Sequence, residues 1–229
     1  FLTPRYPSVL KRMYKKRPTG AFCLRAGAMY TSPEVGKVGT ERRYTRSMES
    51  VTLPRFLEPR LVSSHFHIEP GSVVVDYGAG QGAYIPHLAR KVGSAGKVIA
   101  VEVQRPLVDS LHNRARELGY DNVEVVWADA ASHGGTKLPD ASADFGVIIN
   151  TRYQIEDLAA AVAEVYRTLR PHGIVYVVDW IDSFDGLGPT PEMVRPRDTT
   201  IDLFEANYFI YEREYPAGSY HYGVSFRKL

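Results

Sequence analysis

The 229-residue chain has a single cysteine, Cys23, so no disulfide can form within it. A lone thiol is typical of a reducing compartment and excludes the small disulfide-stapled classes of protein. The chain also lacks an apolar run near the roughly 18 residues that a membrane-spanning helix needs, and its first residues lack the apolar core of a signal peptide. These absences predict a water-soluble protein without a membrane span, and we expect it to be cytoplasmic.

Acidic residues are missing from the first 33 positions, although the net charge of the whole chain is only +2. The basic residues of this stretch are Arg5, Lys11, Arg12, Lys15, Lys16, Arg17 and Arg25. Such an arm could contact phosphates, anionic lipid or an acidic partner, or could simply be a solvated extension. Because periodicity is poor up to residue 52, we expect residues 1–52 to form a basic N-terminal extension, which could serve as a substrate lid, and residues 53–229 to form one domain.

From residue 53 onward, short apolar runs alternate with helical patterns, as in βαβ units. The runs VVV at 73–75 and GVII at 146–149 are typical of parallel strands that are buried on both faces. The sequence predicts a doubly wound α/β fold with a mostly parallel sheet, closed by a C-terminal antiparallel hairpin. The expected helices include 53–68, about 82–92, 106–118 and 155–169, and the expected strands include 72–77, 97–103, 123–128, 143–150, 173–179, 208–215 and 220–227.

The stretch VVVDYGAGQGAY, residues 73–84, joins the first strand to a helix through Gly78, Gly80 and Gly82. In such sheets, ligands bind beyond the carboxyl ends of the strands. Glycine lets a ligand approach the backbone closely, and free amides at a helix start can bind a carboxylate. Asp76 is placed to accept hydrogen bonds from an ammonium group. The turn therefore suits a zwitterionic amino-acid moiety.

Acids also end the next two strands, at Glu102 and Asp129. A carboxylate at Glu102 can accept hydrogen bonds from both ribose hydroxyls, as in dinucleotide-binding folds. Asp129 is placed to accept from an adenine amino group, while the Ala130 amide can reach a ring nitrogen and Val103 can cover an adenine face. Three successive strands that end in such residues predict nucleoside binding, although each residue taken alone could be a turn cap or a surface acid.

The letters GAGQGA at residues 78–83 also satisfy the nicotinamide-dinucleotide pattern G-x-G-x-x-G/A. Three features count against that alternative. Asp76 stands where a dehydrogenase usually has an apolar residue, Asp129 adds an acid after the third strand, and the chain ends in a hairpin rather than in a catalytic half.

Over about residues 55–229 the sequence resembles the class I S-adenosylmethionine-dependent methyltransferases, and most closely their small-molecule, ubiquinone-biosynthesis-like branch. The matching stretches are VVVDYGAGQGAY, KVIAVEV, VWADA, DFGVIIN, YRTLRPHGIVYVVDW and YHYGVSFRKL, with His172 in place of a usual glycine, a change expected to alter only a turn. The resemblance implies S-adenosylmethionine as cofactor, a Rossmann-like sheet of order 3-2-1-4-5-7-6, Glu102 as the ribose acid and Asp129 as the adenine acid.

The sequence gives fewer signals for the residues that would contact the methyl acceptor. Asn150 after the fourth strand is a candidate for contact with cofactor or acceptor, and catalytic candidates are Asn150, Tyr153 and Asp179, with no base identified. Tyr30, Tyr44 and Tyr153 are candidate substrate contacts, although Tyr153 could instead pack at a helix start. His221 and Tyr222 are more simply explained as an aromatic pair on the last strand.

Missing motifs narrow the chemistry further. No Asn/Asp-Pro-Pro-Tyr follows the fourth strand, no Pro-Cys nucleophile lies on the sheet, and the acids near Asn150 and Asp179 are too few for a metal site. We therefore expect a methyltransferase that acts on an O, N or C atom of a small organic acceptor, with no metal. One alternative is an enzyme for RNA or a protein side chain held by the basic arm, and another is a non-catalytic cofactor-binding adaptor.

Overall fold

A computed structural model of the chain describes residues 56–229. The expected N-terminal extension over residues 1–52, with its basic arm and the candidate residues Tyr30 and Tyr44, lies outside the described residues. The boundary expected at residue 53 lies outside them too.

The described part of the chain contains seven strands and five α-helices. The strands are β1 Val73–Tyr77, β2 Lys97–Glu102, β3 Val123–Trp127, β4 Ala143–Ile149, β5 Leu169–Trp180, β6 Phe209–Pro216 and β7 His221–Lys228. The helices are α1 Pro59–Ser64, α2 Ile85–Val92, α3 Arg105–Glu117, α4 Leu158–Thr168 and α5 Arg197–Ala206, with short 3₁₀ turns at Arg152–Gln154 and Pro191–Met193.

The strands form one sheet in the order β3-β2-β1-β4-β5-β7-β6. The first five are parallel, and β7 runs antiparallel between β5 and β6. Strand β1 is central, so that Val75 lies beside Ile99 of β2 on one side and Gly146 of β4 on the other. This topology confirms the predicted doubly wound sheet and its antiparallel hairpin.

Helices cover both faces of the sheet, which explains the unbroken valine run of β1. Val74 packs in a cluster with Leu88 and Val92 of α2. Its neighbour Val75 points to the opposite face and packs in a cluster with Val162 and Val165 of α4. Because adjacent strand residues face opposite sides, a strand covered on both faces needs apolar residues at consecutive positions.

Three element boundaries differ from the sequence-based expectation. Helix α2 begins at Ile85 rather than near residue 82, because Gly82 has a left-handed φ of +75° that no right-handed helix can include. Helix α1 is confined to Pro59–Ser64, and proline favours the first helical position. Strand β5 begins at Leu169 because Leu169 pairs with Ala143 before an irregularity in register, and His172 lies in this stretch at a φ of +64°.

A buried carboxylate on α4 anchors the loop between β3 and β4. Glu164 of α4 is fully buried and accepts hydrogen bonds from the amides of Gly134, at 2.7 Å, and Thr136, at 3.1 Å. Arg167 donates to the same carboxylate from Nε and Nη2. Burial alone would raise the pKa of Glu164, but the hydrogen bonds from Arg167, Thr136 and Gly134 outweigh it and lower the pKa to about 2.

We expect Glu164→Gln to lower the free energy of unfolding at neutral pH by about 3–5 kcal/mol, because it leaves Arg167 without its buried partner. This contribution should be fully present above the unfolded-state pKa and should vanish as the pH falls through about 2, where Glu164 is protonated in the folded protein too. Urea denaturation across this pH range measures it. The control is Glu124→Gln, which removes an exposed ion pair with Lys97 and should cost less than about 1 kcal/mol. Equal losses in both variants would contradict the assignment.

Candidate functional site

A cavity of about 800 Å³ opens at the carboxyl edge of the sheet. Its walls include the last residues of three adjacent strands, β2, β1 and β4, and the loops that follow them. Parallel strands bring their carboxyl ends to the same edge, so residues that are far apart in sequence meet there. The volume lies within the range of about 300–1,000 Å³ that is typical of small-molecule sites.

The glycine turn forms one wall of the cavity through Gly78 and Gly80. Gly80 has a φ of +56°, and a Cβ built on it would meet no atom within 4 Å. The space beside its backbone is therefore open, as close approach of a ligand requires. Gly78 lines the cavity too, and there a Cβ would lie 2.4 Å from Cγ2 of Thr151, in the loop after β4.

Gly82 does not line the cavity, which corrects its predicted role in ligand binding. It is buried, and a Cβ on it would lie 2.6 Å from Cδ2 of Leu111 on α3. The third glycine of the motif therefore serves packing between the turn and the neighbouring helix. The spacing of the motif alone could not separate the two roles.

Two buried acids, Asp76 and Glu102, lie at the ends of β1 and β2. Glu102 Oε2 accepts a hydrogen bond from the Gly80 amide at 2.9 Å, and its Oε1 accepts one from the Gln104 amide at 2.8 Å. No described residue donates a hydrogen bond to the carboxylate of Asp76. Burial, together with the nearby charge of Glu102, raises the pKa of Asp76 to about 7. Asp76 is therefore a buried acceptor that faces the cavity and suits a cationic partner.

The other candidates for nucleoside contact share the β2–β3 end of the cavity. Val103, Asp129 and Ala130 all line it, together with Glu102. Asp129 is exposed and accepts a hydrogen bond at Oδ1 from the Ala131 amide at 2.8 Å. Val103 has 57% of its surface exposed, and its carbonyl accepts a hydrogen bond from Trp127 Nε1. The structure thus brings together the residues that the sequence predicted for the nucleoside.

Of the three catalytic candidates, the structure brings only Asn150 to the cavity. Asn150 has a φ of +52°, and its Nδ2 lies 3.1 Å from Nε2 of His221. Tyr153 is not among the lining residues, and neither is Asp179, which is 1% exposed and lies 3.6 Å from Arg152. Burial raises the pKa of Asp179 to about 6, although Arg152, the Trp180 amide and Arg195 oppose this effect.

Two lining residues were missed by the sequence-based reasoning. Tyr84 ends the glycine turn, lines the cavity, and has a buried hydroxyl with no partner among residues 56–229. Arg152 lies in the loop after the fourth strand and lines the cavity, whereas its neighbour Tyr153, which the sequence predicts as a contact, does not. A 3₁₀ turn over Arg152–Gln154 decides which of these neighbours points inward, and the sequence carries no clear signal for it.

The cavity is lined mainly by negative charge. Its carboxylates belong to Asp76, Glu102, Asp129, Glu156 and Asp157. Its one basic lining residue is Arg152, whose Nη1 lies 3.6 Å from Asp179 Oδ2. Beside the glycine turn a ligand with positive charge is favoured, because a pyrophosphate there would meet the carboxylates of Asp76 and Glu102. This charge distribution counts against the nicotinamide-dinucleotide alternative.

Comparison with known proteins agrees with this geometry. Residues 74–173 match the methyltransferase domain family. The solved structure of an S-adenosylmethionine-dependent methyltransferase from Aquifex aeolicus is 28% identical and superposes with a TM-score of 0.70, over 76% of this chain and 91% of that one. Residues 74–173 thus form a methyltransferase domain, and the chain is similar in sequence and fold to class I S-adenosylmethionine-dependent methyltransferases. The predicted family is thereby confirmed, and S-adenosylmethionine is the cofactor of this family.

Two curated relatives show how varied the acceptors of such domains are. A ubiquinone/menaquinone biosynthesis C-methyltransferase of Hahella chejuensis is 30% identical over 114 residues, which are 49% of this chain and 45% of the relative. Nocamycin O-methyltransferase of Saccharothrix syringae is 32% identical over 104 residues, 45% of this chain and 36% of the relative. The chain thus spans less than half the length of either relative. By their names, these two enzymes methylate carbon and oxygen, so the methyltransferase class leaves the acceptor atom open.

Two kinds of feature are absent from residues 56–229. None of the helices in this range is long and apolar enough to cross a bilayer. The same range contains no group of three or more His, Cys, Asp or Glu side chains that could hold a metal ion.

The packing role of Gly82 can be tested by a substitution that adds one methyl group at this position. Gly82→Ala should cost roughly 1–2 kcal/mol for the left-handed backbone, plus about 1–3 kcal/mol for overlap with Leu111. Gly119→Ala is the matched control, because Gly119 has a φ of +66° with no atom within 4 Å of a built Cβ. The control should show only the backbone cost in urea denaturation. Equal losses in the two variants would refute the packing role.

Proposed function

We propose that the chain transfers the methyl group of S-adenosylmethionine to an O, N or C atom of a small organic acceptor. The observation that carries the proposal is the cavity itself, in which bare glycine backbone and buried acids adjoin the loop after β4. Acidic side chains favour the cationic sulfonium and ammonium groups of this cofactor. The loop after β4 supplies the neighbouring wall, where an acceptor would lie.

Each part of the cofactor has a matching set of lining residues in this proposal. Asp76 accepts hydrogen bonds from the ammonium group, while Gly78 and Gly80 leave room for the methionine chain. Glu102 binds the ribose hydroxyls, and its two bonds to backbone amides hold its carboxylate in one orientation. Val103, Asp129 and Ala130 contact the adenine.

Alignment is the main task left to the protein. When bound, the cofactor supplies an already activated methyl group on its sulfonium. The protein must hold the acceptor atom about 3 Å from the methyl carbon, in line with the sulfur. Asn150 is the lining residue best placed at this junction, because it directly follows β4 beside the glycine turn. Exclusion of water would strengthen these polar contacts, and a general base is needed only for an acceptor that must lose its proton early.

A small acceptor is favoured by the apolar wall on the α4 side of the cavity. The apolar residues of this wall are Ile148, Ile149, Ile155, Leu158, Ala161, Val162 and Val165. Such an enclosed apolar wall suits an organic molecule better than a phosphate backbone. Methylation of RNA or protein through the basic arm stays a prediction, as do the substrate contacts at Tyr30, Tyr44 and Tyr153, the adaptor alternative and the cytoplasmic location.

Calorimetric titration with S-adenosylhomocysteine tests the cofactor site. We expect wild-type protein to bind it and Gly80→Val to lose binding at least 100-fold, because the side chain would fill open cavity space. Gly93→Val is the matched control, since Gly93 has a similar φ of +65° and open space but does not line the cavity. Binding that survives in Gly80→Val, or that is absent from the wild type, would contradict the proposal.

Binding of S-adenosylhomocysteine should also depend on pH through Asp76. The pKa of Asp76 in the ligand-free protein is raised to about 7, and a bound ammonium group would lower it. Binding therefore releases a proton below that pKa, and affinity should rise by up to about tenfold per pH unit as the pH approaches 7, then level off.

The control for this pH dependence is Asp76→Asn. This variant should bind the same ligand more weakly at about pH 8 and should lack most of the rise, because no carboxyl remains to be ionised at that position. An unchanged pH profile in Asp76→Asn would show that another group titrates and that Asp76 does not bind the ammonium group.

A further inference from the structure

Buried polar atoms without partners are concentrated in one region beside the cavity. Eight buried side-chain polar atoms have no hydrogen-bond partner among the described residues, and six of them lie near the ends of β4 and β5 and the start of β7. These six are Asn150 Oδ1, Arg152 Nε, Asp179 Oδ2, Trp180 Nε1, Arg195 Nε and His221 Nδ1. About 90% or more of buried polar groups normally have a hydrogen-bond partner. Such a concentration of exceptions therefore indicates a missing partner.

These residues form one contiguous group, which we term the polar cluster: Asn150, Arg152, Asp179, Trp180, Arg195 and His221. Asn150 and Arg152 line the cavity, so the cluster adjoins it. The Asn150 amide contacts His221, and the rings of His221 and Trp180 lie 4.2 Å apart. Arg152 Nη1 lies 3.6 Å from Asp179 Oδ2, which is too far for a hydrogen bond.

Two neighbours join the guanidinium of Arg152 to the rest of the cluster. Arg152 Nη1 donates to Thr200 Oγ1 at 2.6 Å and to Tyr222 Oη at 3.1 Å. The Tyr222 hydroxyl in turn donates to the carbonyl oxygen of Arg195 at 2.7 Å. These bonds hold the Arg152 guanidinium in place, yet they use one of its nitrogens and leave its Nε free of a partner among the described residues.

The cluster has more positive than negative charge. Two guanidinium groups, of Arg152 and Arg195, act on a single carboxylate, that of Asp179. Burial lowers the pKa of His221 to about 4, so its imidazole is neutral near pH 7. The net charge is therefore about +1 when Asp179 is ionised. A buried excess charge is costly unless a ligand of opposite sign compensates it.

The free donors point to an oxygen ligand. In the neutral His221, a hydrogen bond accepted at Nε2 from the Asn150 amide leaves the proton on Nδ1. The cluster then has four donors with no acceptor among the described residues, against two acceptors with no donor. The donors are His221 Nδ1, Trp180 Nε1, Arg152 Nε and Arg195 Nε, and the acceptors are Asn150 Oδ1 and Asp179 Oδ2. The ring of Phe56, which also lines the cavity, lies 5.9 Å from Trp180 and 5.7 Å from His221. Aromatic rings at this border favour a flat, aromatic ligand.

We infer that the polar cluster binds the anionic oxygen of a small aromatic acid, which is the methyl acceptor of this chain. The inference rests on the proposed function, and it concerns how the acceptor is held. The anionic oxygen, a carboxylate or a phenolate, serves as the anchor that Arg152 and His221 bind. The cavity thereby has two electrostatic ends: acids for the cationic cofactor and a basic cluster for the acidic acceptor.

The binding test uses two matched pairs of probes, titrated at pH 8 into protein saturated with S-adenosylhomocysteine. One pair is 2-naphthoate and 2-naphthamide, and the other is 4-nitrophenolate and 4-nitroanisole. We expect at least one anion to bind at least tenfold more tightly than its neutral partner, and the pair that shows it identifies the anchor as carboxylate or phenolate. The inference is overturned when neither anion binds or neither is preferred.

Removing a negative or a positive charge from the polar cluster should change the affinity for the anion in opposite directions. Asp179→Asn removes the competing carboxylate and should tighten binding of the preferred anion at least threefold. Arg152→Gln should weaken it at least tenfold and abolish the preference over the neutral partner. Arg152→Gln leaves the carboxylate of Asp179 uncompensated, and a variant that fails to fold for this reason is replaced by the double variant Arg152→Gln/Asp179→Asn. The double variant removes both charges and should also lose the preference for the anion over its neutral partner. A preference that persists in the variant without Arg152 overturns the inference.

Titration with S-adenosylhomocysteine in every variant separates this inference from the proposed function. Neither Arg152 nor Asp179 is assigned a cofactor contact, so cofactor affinity should stay within threefold of the wild type. Protein that binds no S-adenosylhomocysteine refutes the proposed function. Protein that binds it normally but shows no anion preference refutes the polar cluster as an acid site and leaves the proposed function intact.

Discussion

The site depends on the carboxylate of Glu102, whose two oxygens accept hydrogen bonds from the amides of Gly80 and Gln104. The bond from Gly80 joins the turn after β1 to the end of β2, and the bond from Gln104 orients the carboxylate. The amides of Gly78 and Ala79 add two hydrogen bonds to the carbonyl of Val101 on β2, at 2.9 and 3.0 Å. One side chain thus shapes the cavity wall and also lies at the position from which a ribose would be bound.

Buried charges at both ends of the cavity lack partners, which suits ligand binding but lowers the stability of the ligand-free protein. Asp76 is buried, has no donor among the described residues, and lies near Glu102, so its ionised form is disfavoured in the ligand-free protein. The polar cluster has the reverse imbalance, with two guanidinium groups acting on Asp179. Buried charges without partners cost stability and commonly occur at functional sites. Each end of the cavity is therefore suited to a ligand group of opposite charge.

The fold could be predicted because apolar patterns reflect burial directly. Valine runs such as 73–75 indicate strands covered on both faces, and the structure confirms this for β1, where Val74 and Val75 pack on opposite sides. Glycine motifs are less specific, because a glycine can leave room for a ligand or for a neighbouring side chain. Gly80 has open space and Gly82 abuts Leu111, yet they are two residues apart in one motif. Only the position of α3 separates their roles.

The sequence by itself determined the class of fold, the strand order implied by family resemblance, and the edge at which Asp76, Glu102 and Asp129 meet. These features follow from local periodicity and from the rule that parallel strands share a carboxyl edge. Tertiary structure alone decided that Arg152 rather than Tyr153 lines the cavity, and that Asp179 pairs with Arg152 outside it. It also brought His221, 71 positions along the chain, to Asn150. Such contacts depend on packing between distant segments, on which local patterns carry no information.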